Sequence, residues 1–266
     1  MGKYYRSVNS EYDRSGFQPA VRVLLRVLSD SHSSYRFGNW LYRESFITCI
    51  PSQLFIENLP DEIGYVAIRA IATRSPEEEK QNYLDEIKNT LKEGRDRGVT
   101  AWVLDLTENL GGSFPIMLAS VGPLLGNDIH GYFLDPNDGP ILWGYEDGDA
   151  YIGDRSNVFA AVSEPAEVIN PELKIAVIID SETASAGEAT AISFIGRANT
   201  RIFGQRSCGL STGNTAFELS NGAIFNLTTA IMADREQNSF GEKVSPDELL
   251  NNSMDLNARV LEWLAE

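Results

Sequence analysis

The sequence predicts a mixed α/β domain, and three observations carry that expectation. Two runs that read as buried strands, 101–106 and the β-branched-rich 175–179, each end in a small polar turn. Each is followed by a helix-like run, 115–125 and 186–195. Ser75-Pro76-Glu77-Glu78 opens a long helix to about Arg97, with Gly98 past its end. Late in the chain, Ser220-Asn221-Gly222 separates 216–219 from 223–227, the pattern of a hairpin. Strands alternating with helices imply a sheet covered by helices.

The remaining elements follow in order. Residues 18–29 space Val21, Leu24, Leu25 and Leu28 as a helix with a broad apolar face, ending in the polar loop Ser29-Asp30-Ser31-His32-Ser33. Residues 45–50 and 64–69 read as strands. Residues 126–170, with many Gly, Asp and Pro, read as short strands and loops; 201–204 reads as a strand and 209–214 as a loop. The expected organisation is a small N-terminal helical cap subdomain, 1–60, packed on a core domain, 61–266.

With 42% hydrophobic and 23% charged residues, the 266-residue chain can bury a core of ordinary globular size. Its net charge of −16 repels nucleic acid and anionic lipid, so neither is expected as a partner; cationic peptides would be attracted. Cys49 and Cys208 are too few for a disulfide framework or a zinc cluster, and two separate thiols are expected rather than one disulfide. No metal and no cofactor is expected. No run is apolar enough to span a membrane, and Met1-Gly2-Lys3-Tyr4-Tyr5 lacks the apolar centre of a signal peptide. The compartment stays open: cytosol, or cell envelope or exterior if a leader has been removed.

The chemistry centres on Asp180-Ser181-Glu182-Thr183-Ala184-Ser185-Ala186-Gly187-Glu188. A small-residue turn between a buried strand and a helix presents a serine hydroxyl with little cover, beside the N–H groups of a helix start. Ser185 is read as a nucleophile and Ser181 as a turn or cap residue, although a serine after a strand most often only caps the helix. Acyl transfer also needs oxyanion donors and a base. Gly111-Gly112, after the 101–106 strand, lets backbone N–H groups approach a ligand, and the Ala186 N–H is the other donor. The base must be histidine or lysine, and no lysine sits in an obvious place near Ser185. Of the two histidines, His130 reads as structural and His32 lies in a polar loop, where a lone histidine more often only decorates the surface.

Val103-Leu104-Asp105-Leu106, Asn109-Leu110-Gly111-Gly112, Thr183-Ala184-Ser185-Ala186-Gly187-Glu188 and Val244-Ser245-Pro246-Asp247 occur in that order. Together they resemble the C-terminal processing, or tail-specific, serine peptidases, over roughly residues 20–250. The resemblance is strongest to the nisin-resistance and tricorn-core branch without a PDZ domain, since only about thirty residues separate His32 from the Tyr65 strand. It implies a Clp protease/crotonase-like core and a peptide or protein substrate. It also implies Ser185 as nucleophile, Gly112 (or Gly111) and Ala186 as oxyanion donors, and His32 as base beside Ser31. Glu242, near the Pro-Asp motif, would be an orienting residue. Two positions depart from the family pattern: Leu210 stands where the processing peptidases carry a lysine, and Thr107 where an arginine is usual. The rival readings are a non-catalytic ligand- or peptide-binding protein on the same scaffold, and a crotonase-like acyl-CoA enzyme.

Overall fold

The computed structural model describes residues 14–44 and 48–266. The chain divides into two compact units, residues 1–48 with 214–229, and residues 49–213 with 230–266.

In the first unit, α1 (Arg14–Leu28) is followed by a hairpin of β1 (Ser34–Phe37) and β2 (Trp40–Tyr42), which the sequence reading did not assign. Val21 and Leu25 of α1 are buried in a small core with Tyr35, Ala223 and Phe225. Of the expected strand at 45–50, residues 45–47 lie outside the described residues, and 48–50 carry no regular structure.

The second unit opens with β3 (Ile63–Ala67), α2 (Glu77–Arg97), β4 (Ala101–Asp105) and α3 (Phe114–Leu125). Four strands follow: β5 (Asp128–Asp135), β6 (Gly139–Glu146), β7 (Asp149–Ile152) and β8 (Val158–Ala161). Then come β9 (Lys174–Ile179), α4 (Ala186–Phe194) and β10 (Thr200–Gly204). β11 (Thr212–Glu218) and β12 (Ile224–Ala233) cross between the units, and β13 (Glu248–Leu249) and α5 (Ser253–Ala265) close the chain.

Strands β3, β4, β9, β10 and β13 form one parallel sheet in the order β13-β10-β9-β4-β3. Parallel strands need helical crossovers and bury both faces, which is why β4 is apolar up to Asp105 and β9 is apolar after Lys174. All of β4 is buried, and so is β9 beyond Lys174. Leu84, Ile87 and Leu91 of α2 and nearly all of α3 and α4 pack into the main core, with Trp102, Met117 and Trp143 among its large side chains. Strands β5 to β8 form an antiparallel meander, joined by residues 231–233 of β12 along β5.

Two expectations are corrected. β11 begins at Thr212, inside the expected 209–214 loop, because its partner β12 runs on to Ala233. Cys49 and Cys208 are not separate thiols but a disulfide, with Cα atoms 5.0 Å apart. The cause is tertiary. The turn after β9 collects both segments: Ser181 Oγ donates to Ile50 O (2.8 Å), Ser52 N–H to Glu182 Oε2 (3.2 Å) and Cys208 N–H to Thr183 O (2.8 Å).

Candidate active site

Adjacent parallel strands release their chains at the same sheet edge, where open α/β sheets place their sites. β4 and β9 are such neighbours, with Leu104 beside Val177 and Asp105 beside Ile178. The turn 106–113 leaves the first and the turn 180–185 leaves the second.

Ser185 sits at the N-terminus of α4 with φ 53° and ψ −115°, outside the regions open to a residue with a Cβ. It is partly exposed, while Ala184 and Ala186 on either side are buried. Its N–H donates to Glu188 Oε2 (2.8 Å) and its carbonyl accepts from Ala189 N–H (3.0 Å). Ser181 is a turn residue, as expected from sequence, bonded to Ile50 O and Gln205 Oε1.

The Gly111-Gly112 turn lies directly against this serine. A Cβ on Gly111 would stand 2.8 Å from Ser185 Cβ and 3.0 Å from Ala186 N; one on Gly112 would stand 2.0 Å from Ile71 O. Both glycines have positive φ, 92° and 125°, so their type is dictated by both conformation and space. The two N–H groups differ. Gly111 N–H donates to Asn109 Oδ1 (2.9 Å), whereas Gly112 and Ala186 N–H pair with no acceptor among the described residues. Asn109 organises the contact: its carbonyl accepts from Ala184 N–H (2.8 Å) and its amide donates to Ile68 O (2.8 Å).

Glu188 is fully buried and accepts four hydrogen bonds, from Ser185 N–H, Ser207 Oγ (2.5 Å), Gly209 N–H (2.9 Å) and Leu210 N–H (2.8 Å). Burial pushes its pKa up to about 7, against the pull of these donors. The loop 207–210 that supplies three of them carries the disulfide at Cys208. Glu188 stands inside the sequence motif, but its role comes from the fold. A glutamate three residues after an N-cap serine was the signal.

His32 and Ser31 belong to the first unit. Their loop is built on Asp30, whose Oδ1 accepts from His32 N–H (3.0 Å), Ser33 N–H (2.6 Å) and Thr228 Oγ1 (2.8 Å). Asn214 Nδ2 donates to His32 O (3.3 Å). His130 is buried in β5 with Nε2 against Gly126 O (2.9 Å), and burial lowers its pKa to about 4. Glu242 is exposed, and the group it offers inward is its backbone carbonyl, which accepts from Ser211 Oγ. Among the described residues no cluster of His, Cys, Asp or Glu could hold a metal ion.

A match to peptidase family S41 spans residues 62–250, which takes in both turns and α4. The chain belongs to peptidase family S41. The nisin-resistance protein of Lactococcus lactis subsp. lactis is 26% identical over 92% of this chain and 73% of its own length. Carboxyl-terminal-processing peptidase 2, chloroplastic, of Arabidopsis thaliana is 29% identical over 64% of this chain and 28% of its own. Among solved structures, a lipoprotein from Streptococcus agalactiae superposes with a TM-score of 0.64 at 26% identity, over 80% of this chain and 70% of that one. The photosystem II D1 C-terminal processing protease gives 0.51 at 23% identity, over 71% and 42%, a likeness of fold. The family supports a peptidase function with a peptide or protein substrate. No helix among the described residues is long and apolar enough to cross a membrane.

Proposed function

We propose that this chain is a serine endopeptidase working through an acyl-enzyme, with Ser185 as nucleophile and His32 as general base. Ser185 Oγ attacks the peptide carbonyl as His32 takes its proton; His32 then protonates the leaving amine, and water repeats the sequence on the ester. The Gly112 and Ala186 N–H groups hold the oxyanion, a role worth about 3 kcal/mol per donor in other enzymes. The observation that carries the reading is a partly exposed serine at φ 53°, beside two N–H groups that pair with no acceptor among the described residues. His32 is preferred as base because the only other histidine is buried on Gly126 O, and Leu210 stands at the lysine position. Ser31 stays the candidate for an orienting role; the exposure of Glu242 argues against it.

The test is a fluorophosphonate probe with peptide mapping. Label on Ser185, lost in Ser185→Ala and strongly slowed in His32→Ala, is the expected result. Label that spares Ser185, or full peptidase activity in Ser185→Ala, overturns it and favours a binding protein on the same scaffold. The net charge of −16 suits cationic peptides. Their cleavage should slow as ~0.5 M salt screens the attraction, while that of neutral peptides should not.

A further inference from the structure

We propose that Arg69 is a positioning residue for the oxyanion turn, acting through the backbone of Thr107; the inference rests on the peptidase reading above. Asp105, the last residue of β4, is 3% exposed, and a carboxylate there needs donors on both oxygens. Oδ1 accepts from Thr107 N–H (2.9 Å) and Thr107 Oγ1 (2.7 Å); Oδ2 accepts from Tyr65 Oη (2.6 Å) and Arg69 Nη2 (3.1 Å). The other arm of the guanidinium, Nη1, donates to Thr107 O at 2.6 Å. Thr107 thus has its N–H held by Asp105 and its carbonyl held by Arg69.

Thr107 is where the direction of the turn is set. The chain goes into positive φ at Glu108 (58°), then at Gly111 and Gly112, and the last of these aims the proposed donor. The short segment after β3 that carries Arg69 grips the turn elsewhere as well. Ile68 O accepts from Asn109 Nδ2 (2.8 Å), Ile71 O from Ser113 N–H (2.7 Å), and Tyr83 Oη on α2 donates to Arg69 O (3.0 Å). Arg69 adds a hold at the turn's entrance, on the Thr107 carbonyl. The bridge needs a planar fork that reaches a carboxylate and a carbonyl together, which an ammonium does not supply. The Arg69 side chain is 46% exposed and hydrogen-bonds Asp105 and Thr107, at the end of β4 and the start of the turn, so its removal should shift the turn more than it weakens the core.

The experiment measures the rate of Ser185 phosphonylation by a fluorophosphonate, separating the limiting rate from probe affinity, alongside thermal melting. Arg69→Ala should lower the limiting rate roughly 10- to 100-fold with affinity little changed, the signature of displaced chemistry rather than lost binding. Methylguanidinium at tens of millimolar should restore part of that rate, because the emptied position opens to solvent. Ammonium at the same concentration should not. Arg69→Lys, which keeps the charge without the fork, should stay well below the wild type. An unchanged limiting rate in Arg69→Ala overturns the inference. So does a rate that falls only in step with the melting temperature and ignores methylguanidinium. Failure of the wild type to label at Ser185 is a different outcome: it removes the peptidase reading, and this inference with it.

Discussion

Removing the Cys49–Cys208 bond should cost this protein a large part of its stability. The bond joins residues 159 apart, so it closes most of the second unit into a loop in the unfolded chain. Loop-closure entropy for that length gives about 5 kcal/mol at 25 °C, an upper figure because real unfolded chains are already compact. For a chain of this size each kcal/mol moves the melting temperature by roughly 2–4 °C, so a fall of about 10–20 °C is expected. The variant is Cys49→Ala with Cys208→Ala, compared with wild type with and without a phosphine reductant. Cys208 is fully buried, and alanine leaves its backbone bond to Thr183 O intact. Melting followed by circular dichroism, with thiol titration to count free cysteines, reads the effect. Two thiols in the unreduced native protein would show that the bond does not form. A reduced protein melting within a couple of degrees of the oxidised one would refute the entropic reasoning.

Other consequences concern the buried polar groups. Glu188→Gln turns an amide N–H₂ toward donors that now meet a carboxylate oxygen. It should destabilise by roughly 1–3 kcal/mol per orphaned donor and slow Ser185 labelling; equal melting and labelling would refute this. The pH profile of stability should hold two opposed slopes. Native Glu188, raised from 4.5 to about 7, keeps a proton that the unfolded chain sheds, so its contribution is full below 4.5 and lost as pH rises through about 7. Native His130, lowered from 6.5 to about 4, does the reverse: its contribution is full above 6.5 and lost as pH falls through about 4. Melting curves between these limits should therefore rise more steeply with pH in Glu188→Gln and fall with pH in His130→Gln; parallel curves would refute both assignments.

How much of this was legible in the sequence depends on how local the cause is. β4 and β9 stand out because strands buried on both faces carry continuous apolar runs, here 101–104 and 175–179, and α2 because Ser75, three leading glutamates and Gly98 mark its ends. β1, β2 and β13 are two to four residues long, too short for periodicity to register. α5 escaped although Asn252 caps it through Asp255 N–H, a signal present in the sequence. In the candidate site, Ser185 and the two glycines announce themselves by residue type next to strand ends. Arg69, Asn109 and the Cys49–Cys208 pair do not. Their roles come from which distant segments meet: Ile68 under Asn109, Thr107 against Arg69, residues 50 and 208 on one turn. No spacing rule encodes a meeting between residues 159 apart.

The backbone at Ser185 shows how the second unit sets its part of the site in advance. A residue with a Cβ held at φ 53° and ψ −115° costs about 1–3 kcal/mol, and such strain persists only where the surroundings over-determine it. Here they do: Glu188 holds the Ser185 N–H, Ala189 N–H its carbonyl, and Asn109 O the preceding N–H, while Asp180 and Thr183 lock the turn before it. Glycine should relieve this strain and alanine should not. Ser185→Gly should then be the more stable of the two inactive variants by about 1 kcal/mol, even after its larger unfolded-state entropy is counted. Equal stability, or an advantage for alanine, would mean that the turn carries no strain. The position would then be an ordinary helix start, and the geometric argument for a nucleophile there would lose its main support.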